Sequence, residues 1–338
     1  GLDMIINPEY AAAQEIARIL RVPAAFSVES FARGTVELIG FQVTEQDDMA
    51  GKSLIEYNKL HPNALLLCAA KRGDEVIVPN GHFVPQGGDR VYAIGTPRET
   101  SRVLRSMGRD TAPIRRLSVI GGGRIALYLA WALDGLGMHI TIVEQNAEKC
   151  LSLAEKLPKA TILHGDGTDH DLLDSEGIFE VDAFVSLTGR DEENLLMALT
   201  AKQARVPKVL PKMSRPNYTE LVHELGIDTA ISPKDVTASQ ISSYVRGLAN
   251  SQGSAVESLH KLLGGAVEAV EFTAGGATHF LNTPLKDLHF KSGLLVAAIV
   301  HDGKLIIPGG HSIISEGDRV IVVAKSLFLT DLNDILEH

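Results

Sequence analysis

Cysteine is nearly absent: Cys68 and Cys150 are the only two in 338 residues. That is too few for a disulfide scaffold or a cysteine zinc site, and it fits a reducing, cytoplasmic setting. Long apolar runs are missing as well. The longest candidates, LLVAAIV (294–300) and LSVI (117–120), have strand length. A membrane-crossing helix needs about 18 apolar residues, so none is expected. Basic excess is missing too, with 32 Lys and Arg against 42 Asp and Glu, a net charge of −10. A broad nucleic-acid surface is thereby excluded and direct adhesion to anionic lipid disfavoured, leaving docking onto a membrane protein open. No signal peptide opens the chain, and a start at Gly1 instead of Met reads as an N-terminal trim.

What the chain does have is glycine, 31 residues, and 45% hydrophobic residues, the balance of a soluble α/β protein with about two domains' worth of length. It also repeats itself. PNGHFVPQGGDRV (79–91) returns as PGGHSIISEGDRV (308–320), with seven of thirteen positions identical at a displacement of 229 residues. EVIVP (75–79) and KLIIP (304–308) extend the match upstream, and VELIGF (36–41) faces VEAVEF (267–272).

A second block precedes each copy: GLDMIINPEYAAAQEI (1–16) and GIDTAISPKDVTASQI (226–241). Both announce a helix, with Asn7 or Ser232 as N-cap and Pro8 or Pro233 at the first helical position. Apolar stripes at helical spacing follow: Ala12, Ile16, Ile19 and Val236, Ile241, Val245. The order is helix, small β-rich unit, a new segment (113–225), helix, small β-rich unit. This reads as a tandem duplication whose first large domain is missing. Its orphaned helix is expected to expose Ile16 and Ile19 and to self-associate through them. In the small units, Asp89, Arg90, Asp318 and Arg319 sit in Gly-Asp turns before strands, where Asp bonds local backbone and Arg pairs across the turn, a structural role.

The new segment opens with RLSVIGGGRIALYLAWALDGLGMHITIVEQN (116–146). A strand runs into Gly121-Gly122-Gly123-Arg124-Ile125-Ala126, a helix follows, and the next strand ends in Glu144, 23 residues after Gly121. Gly121 permits the tight turn, Gly123 lets backbone approach a pyrophosphate, and Ala126 allows close helix–strand packing. The helix N-terminus presents free N–H groups to phosphate. Glu144 is placed to accept from ribose hydroxyls and to repel a 2′-phosphate, which favours NAD or an adenine nucleotide over NADP.

Strand and helix keep alternating. Asn146 caps a helix, ATILH (160–164) leads to Gly165-Asp166-Gly167-Thr168, a strand at 182–187 ends in Thr188, and another at 208–213 contains Lys212. The expected fold is α/β: a doubly wound parallel sheet of Rossmann type with its ligand crevice at the strand C-termini. Asp166, Gly167 and Thr188 are candidate nucleoside contacts; Asp166 equally suits a cap for the next helix. No catalytic set accompanies the crevice. His82, His170, His223 and His311 lack a recognisable partner, HELG (223–226) lacks the second His of a metalloprotease helix, and Asp191-Glu192-Glu193 reads as an acidic first turn.

GGGRIALYLA, VEQN, GDGTD, LTGRDEENLL, the Pro-led crossover helix and the GDRV unit together resemble the RCK (regulator of K⁺ conductance) ligand-sensing family, as found in bacterial Trk potassium uptake. The resemblance implies a Rossmann-like RCK N-lobe at 115–250 and two small α+β C-lobes at 33–107 and 265–338. Residues 1–32 would be the dimerisation helix of a truncated first N-lobe, with linkers at 108–114 and 251–264. It implies NAD(H), and also ATP/ADP, held by Gly121, Gly122, Gly123, Arg124 and Ile125, with Glu144 on ribose. Thr188 and Lys212 match weaker positions, Lys212 departing from the usual arginine. It further implies a homo-oligomer, dimer to tetrameric ring, peripheral on the cytoplasmic face of the inner membrane. There it would gate a membrane-embedded K⁺-translocating subunit of the TrkH/TrkG type. Competing readings are an NAD-dependent oxidoreductase and a nucleotide-sensing repressor; the latter needs a helix-turn-helix and a basic face that the sequence does not show.

Overall fold

The structure, a computed structural model, describes residues 5–62, 65–109, 112–215, 218, 221–222, 224–227, 229–249, 254 and 256–337. The chain divides into two compact units, Gly1–Pro23 with Ala112–Ala238 and Ala24–Thr111 with Ser239–His338.

Helix α1 (Pro8–Arg21) starts as the sequence predicts. Pro8 takes the first turn, and the Asn7 side chain accepts from the N–H groups of Glu9 and Tyr10. The first small lobe follows, with strands β1 (Ser27–Phe31), β2 (Val36–Gln42), β3 (Leu66–Arg72), β4 (Glu75–Ile77) and β5 (Arg90–Gly95). They form an antiparallel sheet in the order β1-β2-β5-β3-β4. Helices α2 (Leu54–Leu60) and α3 (Pro97–Ser106) both start with capping boxes, Ser53/Glu56 and Thr96/Glu99.

The middle segment builds β6 (Arg116–Ile120), α4 (Arg124–Ala132), β7 (His139–Glu144), α5 (Ala147–Lys156) and β8 (Thr161–His164). It continues with α6 (His170–Ser175), β9 (Ala183–Ser186), α7 (Asp191–Gln203) and β10 (Lys208–Pro211). All pairings are parallel, in the order β10-β9-β6-β7-β8. This is the doubly wound arrangement, with the chain reversing direction across the sheet after β8, so that the β6 and β9 tips flank the switch point. Both faces are covered. Leu117 and Val119 face a core shared with α1 and α4, while Ile120, Val143 and Phe184 face Met197 and Ala201 of α7.

Helix α8 (Pro233–Ala249) leads to the second small lobe, whose strands are β11 (Val256–Leu262), β12 (Val267–Thr273), β13 (Leu294–His301), β14 (Lys304–Ile306) and β15 (Arg319–Lys325). Their order, β11-β12-β15-β13-β14, repeats that of the first lobe, and the β-bulge between Leu67 and Ala69 recurs between Val296 and Ala298. The two lobes share one core, in which Phe31, Leu38 and Cys68 meet Leu262, Ala297 and Val323.

Three expectations are corrected. Ile16 and Ile19 are not exposed: they are 0% and 1% accessible because α1 lies on α4, packing against Ile125, Leu129 and Leu133. The exposed stripe is on the other repeat helix, at Ile241, Val245 and Leu248 of α8. In the small lobes, Asp89 pairs with Arg72 in a bidentate contact (Nε 2.8 Å, Nη2 2.6 Å), not with its neighbour Arg90, which stacks on Phe26. Its counterpart Asp318 meets His301 Nδ1 at 2.6 Å, and Arg319 reaches Glu271. The turn aspartates are structural, as read, but their cations come from the neighbouring sheet strand, β3 or β13. The expected bounds of the small lobes also shift: the stretch expected as a linker at 251–264 contains β11, and the segment expected as helix at 1–32 contains β1, so each lobe begins earlier than read. The helix expected near 218–225 includes residues outside the described set, as does the linker at 108–114.

Candidate functional site

The chain turns immediately after Ile120. Gly121 takes φ +99°, and a Cβ there would stand 3.0 Å from the Leu187 carbonyl and 3.1 Å from the Thr188 nitrogen. So the tip of β6 abuts the tip of β9, in a conformation that favours glycine. Gly122 lacks room instead: its Cβ would meet Leu153 Cδ1 at 2.5 Å and Glu144 Cβ at 3.0 Å. Gly123 differs from both. It is the N-cap of α4, no side chain caps that helix, and a Cβ on it would meet nothing within 4 Å. The opening of the helix therefore faces free space with its first N–H groups unclaimed by any cap, the arrangement that receives anions.

Glu144 closes one side. It is 7% exposed and accepts from Gly122 N–H (2.9 Å, Oε2) and Asn146 N–H (2.9 Å, Oε1). Each oxygen retains a lone pair for a further donor. Its backbone carbonyl accepts from Gly165 N–H at 3.1 Å, which draws the β8 loop to the same place. Gly167 is packed on Ile120, where a Cβ would sit 2.3 Å from Cγ2. Asp166 is exposed and accepts from Thr168 N–H and Oγ1, an Asx turn that holds its carboxyl below the usual range. The cap of α6 is Asp169, so the capping alternative for Asp166 is not realised.

On the other side, Thr188 N–H donates to Asn194 Oδ1 (2.8 Å), while Asn194 Nδ2 donates to the carbonyls of Thr188 (3.2 Å) and Lys212 (3.0 Å). One fully buried amide thus ties the tips of β9 and β10 together. Asp191, read from sequence as part of an acidic first turn, is 4% exposed and accepts from the backbone N–H groups of Ser214 and Arg215. Both braces were missed because their partners lie about 20 residues away and meet only in the folded sheet. Burial pushes the Lys212 ammonium down from its ordinary value, with the Asp191 carboxylate opposing. Among the described residues that ammonium makes no hydrogen bond. An anion in the crevice would find it half-desolvated and available.

Arg124 stands at the mouth, 72% exposed, in an ion pair with Glu9 of α1. Asn7 Nδ2 donates to Tyr128 Oη at 3.3 Å and Tyr10 meets Tyr128 edge to face, so the start of α1 sits against α4 beside the cradle. Ile125 is buried in the core and offers only backbone. The structure thus gathers Gly121, Gly122, Gly123, Arg124, Glu144, Asp166, Gly167, Thr188 and Lys212 along one edge of the parallel sheet. His170 opens α6, His82 and His311 are exposed turn residues, and His223 lies outside the described residues. Among the described residues no cluster of three or more His, Cys, Asp or Glu side chains forms a metal site.

The TrkA-N domain matches residues 117–233 and the TrkA-C domain residues 269–326. "Trk system potassium uptake protein TrkA homolog 2" of Methanosarcina mazei is 34% identical over 327 residues, 96% of this chain and 71% of that protein. TrkA of Halomonas elongata is 31% identical over 324 residues, 95% of this chain and 70% of its own. These relatives are Trk-system potassium-uptake proteins. Among solved structures, the GsuK RCK domain superposes with a TM-score of 0.54 at 16% identity, covering 96% of this chain and 69% of that one. The GsuK channel bound to NAD gives 0.54 at 15% identity, covering 96% and 57%; these likenesses establish the fold. The chain belongs to the TrkA family of Trk-system potassium-uptake proteins.

Proposed function

We propose that this chain is a nucleotide-sensing regulatory subunit, holding NAD(H) or ATP/ADP in the crevice at the C-terminal edge of the parallel sheet. Residues 115–250 serve as an RCK N-lobe, and 33–107 and 265–338, each together with the strand that precedes it (β1 or β11), as C-lobes. The observation that carries this reading is Gly123, an uncapped helix start opening on free space beside the buried Glu144 carboxylate. Pyrophosphate fits against the α4 N-terminus, ribose hydroxyls against the remaining Glu144 lone pairs, and Lys212 supplies a positive charge on the far side. A bound nucleotide acts here as a signal and undergoes no reaction.

The signal has a physical route. Arg124 is shared between the cradle mouth and Glu9, so phosphate charge reaching that mouth competes with Glu9 for the guanidinium. Ligands alter a conformational balance only through their differential affinity for its two states. A triphosphate and a dinucleotide place different charge beside Arg124, and so bias the seating of α1 differently. We further propose that homo-oligomers, from dimer to tetrameric ring, carry this change to a membrane-embedded K⁺-translocating subunit of the TrkH/TrkG type. The protein would then be cytoplasmic and peripheral on the inner membrane. That placement is supported by the kinship with Trk-system proteins, and no described helix is long and apolar enough to cross a bilayer.

Thermal melting with NAD, NADH, ATP, ADP and AMP tests the reading, since a ligand selective for the native state raises the midpoint. At least one nucleotide is expected to raise it. Glu9→Gln should increase triphosphate affinity by up to about fivefold, the worth of one exposed ion pair. A panel in which no nucleotide shifts the midpoint would overturn the proposal.

A further inference from the structure

The N-terminal edge of the same sheet carries a second concavity. It has a volume of about 280 Å³ and is lined by Arg116, Ser118, His139, Thr141, Glu176 and Glu180 among others. Ser118 and Thr141 are register partners on β6 and β7, as are Arg116 and His139 one step nearer the edge. Glu176 and Glu180 come from the turn between α6 and β9. From Arg116 to Ile120 the strand spans roughly 13 Å, so this cavity and the nucleotide crevice occupy opposite ends of β6.

Two observations suggest that it receives a ligand. Ser118 is 0% exposed, and its Oγ is among the few buried polar atoms with no hydrogen-bond partner. A hydroxyl sealed away without a partner is costly, and nearly all such groups in folded proteins are satisfied. Next, the rim carries charges of both signs that do not pair with one another. Among the described residues, Arg116, His139, Glu176 and Glu180 make no side-chain ion pair. Close by, Asp182 accepts from the backbone N–H groups of Arg116 and Arg115, and these bonds together with the Arg116 charge hold its carboxyl below the ordinary value.

We infer that this cavity binds a small zwitterion of amino-acid size. Its anionic end would lie against Arg116 and His139, its cationic end against Glu176 and Glu180, and a polar atom would complete Ser118 Oγ. Ligand pockets typically start at about 300 Å³, so the volume suits such a molecule and is too small for a nucleotide. A dinucleotide at one end of the sheet and a zwitterionic metabolite at the other would give one lobe two inputs.

The test is thermal melting of the full chain with glycine, L-serine or glycine betaine at about 10 mM. Acetate and ammonium, which each carry only one of the two charges, serve as controls. The zwitterions are expected to raise the midpoint by roughly 2 °C for millimolar binding, and the controls to leave it unchanged. Ser118→Val and, separately, the Glu176→Gln/Glu180→Gln pair should abolish the shift while leaving the response to NAD as in the parent. If Ser118→Val proves unstable, Ser118→Ala takes its place. No shift with any zwitterion, meaning a cavity that holds solvent only, refutes the inference. So does an equal shift with acetate or ammonium, or a shift that survives in both variant sets.

Discussion

Gly123 occupies the N-cap of α4 with φ −74° and ψ −174°, a backbone state open to any L-residue, and a Cβ added to it meets nothing within 4 Å. Aspartate there should therefore fold well. It is among the preferred N-cap residues, a few tenths of a kcal/mol better than glycine, and its charge at the helix start adds about 0.3–1 kcal/mol. The midpoint of melting should rise by about 1–3 °C. Binding should move the other way. A carboxylate about 4 Å from a phosphate charge, in surroundings of effective dielectric constant about 20, costs about 4 kcal/mol, or roughly a thousandfold in affinity. Gly122→Ala provides the contrast. Its Cβ would lie 2.5 Å from Leu153 Cδ1 and crowd Glu144, an overpacking worth about 1–3 kcal/mol that should lower the midpoint. Calorimetric titration with NAD and ATP, beside melting curves, separates the two effects. Wild-type affinity in Gly123→Asp would show that phosphate does not sit at α4. A melting loss matching that of Gly122→Ala would show that Gly123 is structural.

Glu144→Gln turns one of two acceptor oxygens into a donor facing a backbone N–H, which should cost about 1–3 kcal/mol of stability. It should also narrow any preference for NAD over NADP, read from the ratio of their dissociation constants; an unchanged midpoint would contradict the buried-acceptor role. The Asp318 turn of the second small lobe should show a pH dependence that the matching Arg72–Asp89 turn of the first does not. The hydrogen bond to Asp318 raises the His301 pKa above its ordinary 6.5. The stabilisation is thus fully present below that ordinary value and fades as pH climbs through the raised one. His301→Arg, which copies the Arg72–Asp89 pair of the first lobe, should flatten the fall in melting midpoint between about pH 6 and pH 8. A variant that keeps the wild-type slope would acquit His301.

The sequence disclosed most where chemistry is local. Seven shared positions announced two small lobes, and both sheets have one strand order. Strand, glycine turn, helix and terminal Glu144 fall within 31 contiguous residues, so their spacing alone located the cradle. What stayed hidden depends on distant chain segments meeting. The partner of Asp89 is Arg72, set by the register of β3 on β5; Asn194 and Asp191 bind groups that reach them only when β9 and β10 lie side by side. The burial of Ile16 and Ile19 followed from α4 offering α1 an apolar face, which no feature of α1 itself records. Ser118 passed for one more residue of an apolar strand, its polarity gaining meaning only from the cavity beneath it.

Duplication within one chain also permits contacts that identical subunits cannot make. Glu29 and His260 occupy equivalent places in β1 and β11, each two residues before the position filled by Phe31 or Leu262. They meet each other across the lobes, with His260 Nδ1 2.6 Å from Glu29 Oε2 and its ring edge to face with Phe31 at 4.9 Å. Two identical lobes would set Glu against Glu or His against His at this spot. Side-chain exposures of 11% and 20% leave little solvent to screen the pair. A double-mutant cycle with Glu29→Gln and His260→Gln should accordingly return a coupling of about 0.5–3 kcal/mol, measured by denaturant unfolding. The exchange Glu29→His with His260→Glu should recover most of the parent stability, whereas either single exchange should lose it. Additive single mutants would mean that the lobes are joined by their apolar core and by other polar contacts, such as Ala32 N–H to Glu271 and Lys325 to the Val76 carbonyl, and that the divergence of these two positions carries no energetic consequence.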